Sequence, residues 1–408
     1  RRLPDAERVL RLHELLCFLR AYPDSAEVLT RVERMLAGFA ARGDLRRHRR
    51  ALADSGIAGT DIHYRFFWVT ARWLVRSWPR QVTVDWGELE KGDELLALLD
   101  LLLPYSETPA LDLLELSPRE WITRLKGPEE TDAAFLLRRF EALAAGPRVA
   151  ERIYERLDAP LHVEPAAGSP SRTRAYHPVA KFAYQRQPLR RHRPDLKREF
   201  ARRPRAVRAL SPRQGRRLID LARKAMVTRA RDLDAFAYAD PRDARMIEFG
   251  GGLAFACLGL LPERRLLLET SYGLITLKNG VPIGYALASS LFGSTEVAYN
   301  VFDTFRGGEA AWVFARLLAA IRRLFGSDAF SIDPYQLGYG NQEGLRSGAW
   351  WFYYKLGFRP HSAEVRAVLR NELERMQGDP GHRSDLPTLE RLASDYLYLH
   401  LGRRRADV

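Results

Sequence analysis

Around residue 306 the chain reads Arg306-Gly307-Gly308-Glu309-Ala310-Ala311, between an apolar strand-like run ending near Phe305 and an amphipathic helical stretch, 309–325. The first turn of a helix carries N–H groups without intrahelical acceptors, and the helix dipole adds positive potential there. A pyrophosphate is the kind of anion such a turn suits. Glycines let a phosphate come close to the backbone, although a Gly-Gly pair alone marks only a turn; here its meaning comes from joining strand to helix. A second segment, Ser347-Gly348-Ala349-Trp350-Trp351-Phe352-Tyr353-Tyr354-Lys355-Leu356-Gly357-Phe358-Arg359-Pro360, reads as a short aromatic helix stopped by glycine. Its rings suit either a core face packed on a sheet or a phenol placed for proton transfer. Other chemistries lack their residues. The nine histidines show no pair at metal-ligand spacing, Cys17 and Cys257 lie far apart, and neither a nucleophile elbow nor a P-loop occurs. His177 and His361 stand singly and read as structural.

The elements that must position these residues follow from periodicity. Ser211-Pro212 caps a helix expected to run to about Tyr238, after which short apolar runs at 246–249, 253–260, 266–277, 283–289 and 297–302 read as strands. Asn279-Gly280 between two of them is a hairpin signal, because a two-residue turn needs positive φ at its centre. A strand at 329–332 follows the 309–325 helix. Next come a long loop, 333–348, the aromatic helix 349–356, and two helices expected at 362–376 and 386–401. The loop exceeds a typical connection, and Tyr335, Gln336 and Asn341 in it are candidate substrate-binding residues.

Residues 1–165 read as all-helical. Leu10, Leu12, Leu15, Leu16, Phe18 and Leu19 cover a wide apolar stripe, and Tyr22-Pro23-Asp24 ends that helix. The aromatic-dense stretch 62–78 reads as a central helix, and Ser117-Pro118-Arg119-Glu120 as a capped helix start. From 166 to 211 repeated prolines break regular structure, which makes this the inter-domain connection before a third segment, 212–408. The expected fold is α+β, an all-helical domain followed by a mixed, mainly antiparallel sheet flanked by helices.

The chain has 408 residues, a formal net charge of +14 and a pI near 9.9, carried largely by arginine. Such a balance favours anionic partners. Thirteen of the Lys and Arg residues fall between 186 and 217, against Asp195 and Glu199. That block reads either as a solvated strap over an acidic surface of its own protein or as a phosphate-contacting strip, with nucleic acid as the partner in the second case. Two isolated cysteines suit a reducing compartment, no apolar run is long enough to span a bilayer, and no signal-peptide pattern stands at the N-terminus. Cytoplasm is the expected location and no membrane partner is expected.

The 306–311 turn resembles the phosphate turn of the GNAT superfamily of N-acyltransferases, written R-G-x-G-x-G/A. The 349–358 segment resembles that family's A-x-x-[FL]-Y-x-K-L-G-F, matching at Ala349, Phe352, Tyr353, Lys355, Leu356, Gly357 and Phe358. Both motifs and the preceding meander lie in the C-terminal half. The resemblance implies a bacterial-type acyltransferase with acetyl-CoA or another acyl-CoA as cofactor and a small-molecule or protein amine as acceptor. It implies that the strand around Val301 pairs with the pantetheine arm and that Arg306, Gly307, Gly308, Ala310 and Ala311 cradle the pyrophosphate. Tyr353 would protonate the departing thiolate, and Glu296, or else Asp303, would deprotonate the amine. Two positions depart from the pattern. Glu309 replaces a glycine, and its carboxylate opposes a pyrophosphate unless it turns away. Arg346 stands where an asparagine often precedes the short helix. The alternative that Glu309 supports is a catalytically inactive GNAT-fold interaction module; an RNA-associated protein using 186–217 is a further one.

Overall fold

A computed structural model describes residues 2–405 and divides them into two compact units, each discontinuous in sequence. The first comprises the chain through Arg20, Glu27–His177 and Ile219–Tyr238; the second comprises Ala21–Ala26, Pro178–Leu218 and the chain from Ala239 onward. The boundaries read at 165 and 211 differ from this partition, because the helix Pro212–Val227 begins in the second unit and finishes in the first. That helix also ends eleven residues before the expected Tyr238, and only the short helix Asp234–Ala237 follows it.

The first unit is mainly helical but not wholly so. Strands β1 (Ile62–Arg65), β2 (Val82–Val84) and β3 (Pro160–Val163) form an antiparallel sheet in the order β1-β3-β2, with Val163 opposite both Ile62 and Val82. This corrects the all-helical expectation and the single helix expected at 62–78. The helix there is Trp68–Ser77, and the residues before it enter the sheet. Each strand has only three or four residues, too few to show an alternating pattern, and the partners lie far apart in sequence. Trp68 anchors the core, its ring 5.3 Å from Tyr154 and 6.2 Å from Phe140. The helix Pro118–Leu125 starts as expected, with a capping box in which Ser117 and Glu120 bond reciprocally.

The second unit is built on a nine-stranded sheet: β4 (Ala206–Ala209), β5 (Ala239–Gly250), β6 (Leu253–Leu260), β7 (Thr270–Lys278), β8 (Val281–Leu291), β9 (Ser294–Val301), β10 (Ala329–Ile332), β11 (Arg359–Pro360) and β12 (Leu397–His400). Its spatial order is β11-β12-β10-β9-β8-β7-β6-β5-β4, antiparallel throughout except for the parallel pair β9-β10. The β7–β8 hairpin turns at Asn279 and Gly280, with φ of 48° and 80°, and Lys278 faces Val281 across it. Asn279 is fully buried: its amide donates to the carbonyls of Ala21 (2.9 Å) and Ala183 (3.0 Å) and accepts from the Ala183 N–H.

The helix Ala310–Phe325 lies on this sheet and buries Phe314, Leu317, Leu318 and Ile321, each worth roughly 1.5–3 kcal/mol of transfer free energy. The aromatic helix Ala349–Leu356 buries Trp350 and Tyr353 and stops at Gly357, whose φ of 111° disfavours other residues. Two expectations fail nearby. The loop at 333–348 contains the short helices Pro334–Leu337 and Gln342–Ser347, and the helix expected at 386–401 ends at Leu392, its remainder forming β12. β12 inserts between β10 and β11, and Leu397, the first residue of the strand, is completely buried. An apolar run so short supports helix or strand equally, and only sheet pairing decides.

Candidate functional site

β9 and β10 pair side by side at only three positions, Ser294 with Ala329, Thr295 with Phe330 and Glu296 with Ser331, whereas β9 pairs with β8 along its full length to Val301. Beyond Glu296 the edge of β9 that faces β10 has no strand partner among the described residues. The notch so formed has Val301 and the turn at 306 at its far end and Glu296 at its base. Alternation along β9 places Thr295, Val297, Tyr299 and Val301 on one face and Glu296 on the other. The 310–325 helix covers the first face: the Tyr299 hydroxyl donates to the Ala310 carbonyl (3.2 Å), and its ring lies 5.0 Å from Phe314.

At the mouth, a 3₁₀ turn over Asp303–Phe305 leads into Arg306, Gly307 and Gly308, and the Gly308 N–H donates to the Phe305 carbonyl at 2.9 Å. Among the described residues, the N–H groups of Gly307, Ala310, Ala311 and Trp312 reach no backbone carbonyl. Around Gly307 a Cβ would meet nothing within 4 Å, so that side is open. Gly308 is different. A Cβ there would lie 3.0 Å from both the Phe305 carbonyl oxygen and the Tyr22 hydroxyl, and the Glu309 N–H donates to that same phenol oxygen. One helix-head amide is therefore occupied by the protein's own side chain. Burial, with the Glu309 carboxylate beside it, pushes the Tyr22 phenol well above its ordinary range.

Glu309 occupies the position before the helix without capping it by its side chain. Its carboxylate instead turns to Lys278 (Nζ 3.5 Å away) and accepts from the Arg190 N–H (3.2 Å). Lys278 is 8% exposed at its side chain and lies 4.7 Å from the centre of the Tyr22 ring. Desolvation lowers the lysine's pKa, and the carboxylate opposes that shift. Arg306 is exposed and held by Glu343 and by Asp303 (2.8 Å), so Asp303 serves an ion pair at the surface.

At the base of the notch Glu296 is half-buried, and its carboxyl pKa is raised, first by burial and then by Asp333 and Glu269. The Tyr396 hydroxyl lies beside both Glu296 and Asp333, and its own pKa is pushed up to about 12, by burial first and then by the two carboxylates. Tyr353 is buried against Phe314, Phe352 and Phe358, and burial raises its phenol pKa far above the ordinary value. It neighbours Tyr299, on the helix face. The structure brings Glu296 together with Asp333 and Tyr396, and Tyr353 together with Tyr299; no contact joins Glu296 to Tyr353.

The candidates in 333–348 fare unevenly. Tyr335 is exposed and Gln336 half-buried. Asn341 caps the helix Gln342–Ser347, accepting from the Gly344 N–H (3.1 Å) and donating to the Tyr335 carbonyl (3.0 Å), so its amide fastens the segment. Sequence reasoning missed Tyr22, Lys278, Tyr396 and Asp333. A lysine in an otherwise apolar strand and an aspartate at the carboxyl end of a strand were visible signals; Tyr22 and Tyr396 had none, because they arrive from distant segments.

Among the described residues no group of three or more His, Cys, Asp or Glu side chains could hold a metal ion, and no helix is long and apolar enough to cross a membrane. Comparison with protein-family models, with curated proteins and with solved structures found no match to this chain.

Proposed function

We propose that the second unit is a GNAT-like N-acyltransferase that takes an acyl-CoA in the notch between β9 and β10 and passes the acyl group to an amine. The single observation that carries the reading is the parting of the parallel pair after Glu296 and Ser331, with the 306–311 turn at its mouth. The unpaired edge of β9 toward Val301 offers backbone groups to a pantetheine arm. The N–H groups of Gly307, Ala310 and Ala311 are the donors left for a pyrophosphate, and the Glu309 carboxylate is drawn aside by Lys278.

An attacking amine must be neutral. A carboxylate whose pKa is raised accepts a proton more readily, and the Glu296 carboxyl, shifted upward at the base of the notch, fits that role with Tyr396 and Asp333 as positioning residues. The thiolate that leaves needs a proton, for which Tyr353 is the donor in this reading; its neutral phenol is secured by burial. A thioester lying in the gap would have Tyr353 toward one face of β9 and Glu296 toward the other.

Calorimetric titration of the full chain with CoA, acetyl-CoA and longer acyl-CoAs tests the proposal. Heat with a thioester that disappears in Gly307→Asp is expected; no heat with any of them from folded protein removes it. A second reading, a catalytically silent fold used for interaction, is favoured by one observation, the Tyr22 phenol on the Glu309 amide. Tyr22→Ala separates the two: CoA binding that appears only in this variant marks a site closed in the native chain.

A further inference from the structure

A second concavity lies in the same unit, on the flank of the 310–325 helix that faces β5, β6 and β7, with a volume of about 370 Å³. Five cations line it, Arg190, Arg202, Arg205, Lys278 and Arg316, against one carboxylate, Glu309. None of Val301, Arg306, Gly307, Gly308, Ala310 or Ala311 borders it, so it is not the notch.

The cations differ in how they are held. Lys278 is buried and Arg316 half-buried, and both are paired, the first with Glu309 and the second with Glu199 (2.7 Å), whose side chain is 1% exposed. These pairs fix two positive groups in place. Arg190 and Arg205 are exposed and, among the described residues, have no carboxylate partner. Arg205 lies against the β5–β6 turn, where Gly250, Gly251 and Gly252 all have positive φ; a Cβ at Gly250 would stand 2.4 Å from the guanidinium carbon, so only a glycine lets the arginine lie there. Arg190 covers the Trp312 ring at 4.8 Å, and the His192 ring approaches it at 5.4 Å.

We infer that this concavity binds a small ligand through a diphosphate or triphosphate group. The excess of unpaired guanidinium groups calls for several negative charges close together, and guanidinium is suited to phosphate oxygens. Arg190 covers the Trp312 ring and Arg316 the Phe249 ring (5.5 Å), which leaves the exposed Tyr184 as the remaining lining ring; single-stranded nucleic acid, which relies on stacking of successive bases, fits less well. Recognition therefore rests on the phosphates, and inorganic pyrophosphate and a nucleoside diphosphate share what is recognised. The inference is independent of the acyl-transfer reading, since the residues that test each are different.

The test is calorimetry on the full chain with inorganic pyrophosphate, ADP and a short single-stranded RNA, using Arg205→Ala, Arg205→Lys and Gly307→Asp. Pyrophosphate and ADP are expected to bind, to weaken about tenfold or more in Arg205→Ala, to recover in part in Arg205→Lys and to be unchanged in Gly307→Asp. ADP binding far more tightly than pyrophosphate would identify a nucleotide as the source; equal affinities would identify the phosphates alone. The inference is overturned if neither binds, if binding responds to Gly307→Asp instead of Arg205→Ala, or if only the RNA binds. Arg205 is exposed, so loss of the fold does not confuse the result.

Discussion

Glu309→Gln is the substitution whose consequence the structure specifies most closely. It keeps an acceptor for the Arg190 N–H but removes the charge opposite Lys278, a group 8% exposed. Removing one partner of a buried ion pair leaves the other charge uncompensated, at a cost of about 3–5 kcal/mol. Here the lysine keeps its contact with the Tyr22 ring at 4.7 Å, so the lower end, about 3 kcal/mol, is expected. The chain has two units and a single melting curve mixes them, so the assay is amide hydrogen exchange read across β7 and β8. About 3 kcal/mol corresponds to exchange roughly 100-fold faster. The sign of the pH dependence also follows. The folded-state pKa of Lys278 lies below its ordinary value, so the unfolded chain holds the proton more tightly, and the penalty is full below the folded pKa. It fades as pH rises toward the unfolded value of about 10.4. The loss in Glu309→Gln should therefore shrink as pH is raised to about 10. Adding Lys278→Met should restore most of the protection. Unchanged exchange in Glu309→Gln, or a double variant as damaged as the two singles summed, would refute the reasoning.

Gly308→Ala should destabilise the second unit by about 1–3 kcal/mol through the contacts with Phe305 and Tyr22. Pairing it with Tyr22→Ala should cost less than the sum in a double-mutant cycle. In the first unit, burial raises the Asp232 carboxyl to about 6 despite hydrogen bonds from Thr70 and the Phe67 N–H. A raised folded pKa means that stability is greatest below the unfolded value and is lost as pH climbs through about 6, by roughly 3 kcal/mol at neutrality, and Asp232→Asn should flatten that profile in amide hydrogen exchange read across the helix Trp68–Ser77 at pH 5 and 7.5. Cys17 and Cys257 are buried with thiols pushed up to about 11 and about 12, so an aromatic disulfide reagent should label neither until the protein is unfolded. Asn341→Ala should cost about 1 kcal/mol from the lost cap, seen as faster exchange in the helix Gln342–Ser347, while any ligand of the notch still binds.

Local patterns determined much of the second unit. Asn279-Gly280 dictated its hairpin because few other residues accept two successive positive φ values, and Gly357 stopped the aromatic helix for the same reason. The periodicity of 309–325 and Ser117 with Glu120 three residues on are likewise short-range signals that the fold obeys. What depends on long-range pairing was not legible. β1 and β3 meet across almost a hundred residues, and β12 exists only because β10 and β11 leave a place between them, since no isolated four-residue strand is stable. The candidate site divides in the same way. Gly307, Gly308 and the helix after them announce an anion-ready turn in sequence, because a helix head is polar wherever it forms. Whether its amides are open was decided by tertiary structure: Tyr22, nearly three hundred residues earlier, takes one of them, and Lys278 draws the Glu309 carboxylate away. Burial and the approach of distant charges set those outcomes, and neither is a property of any one stretch of chain.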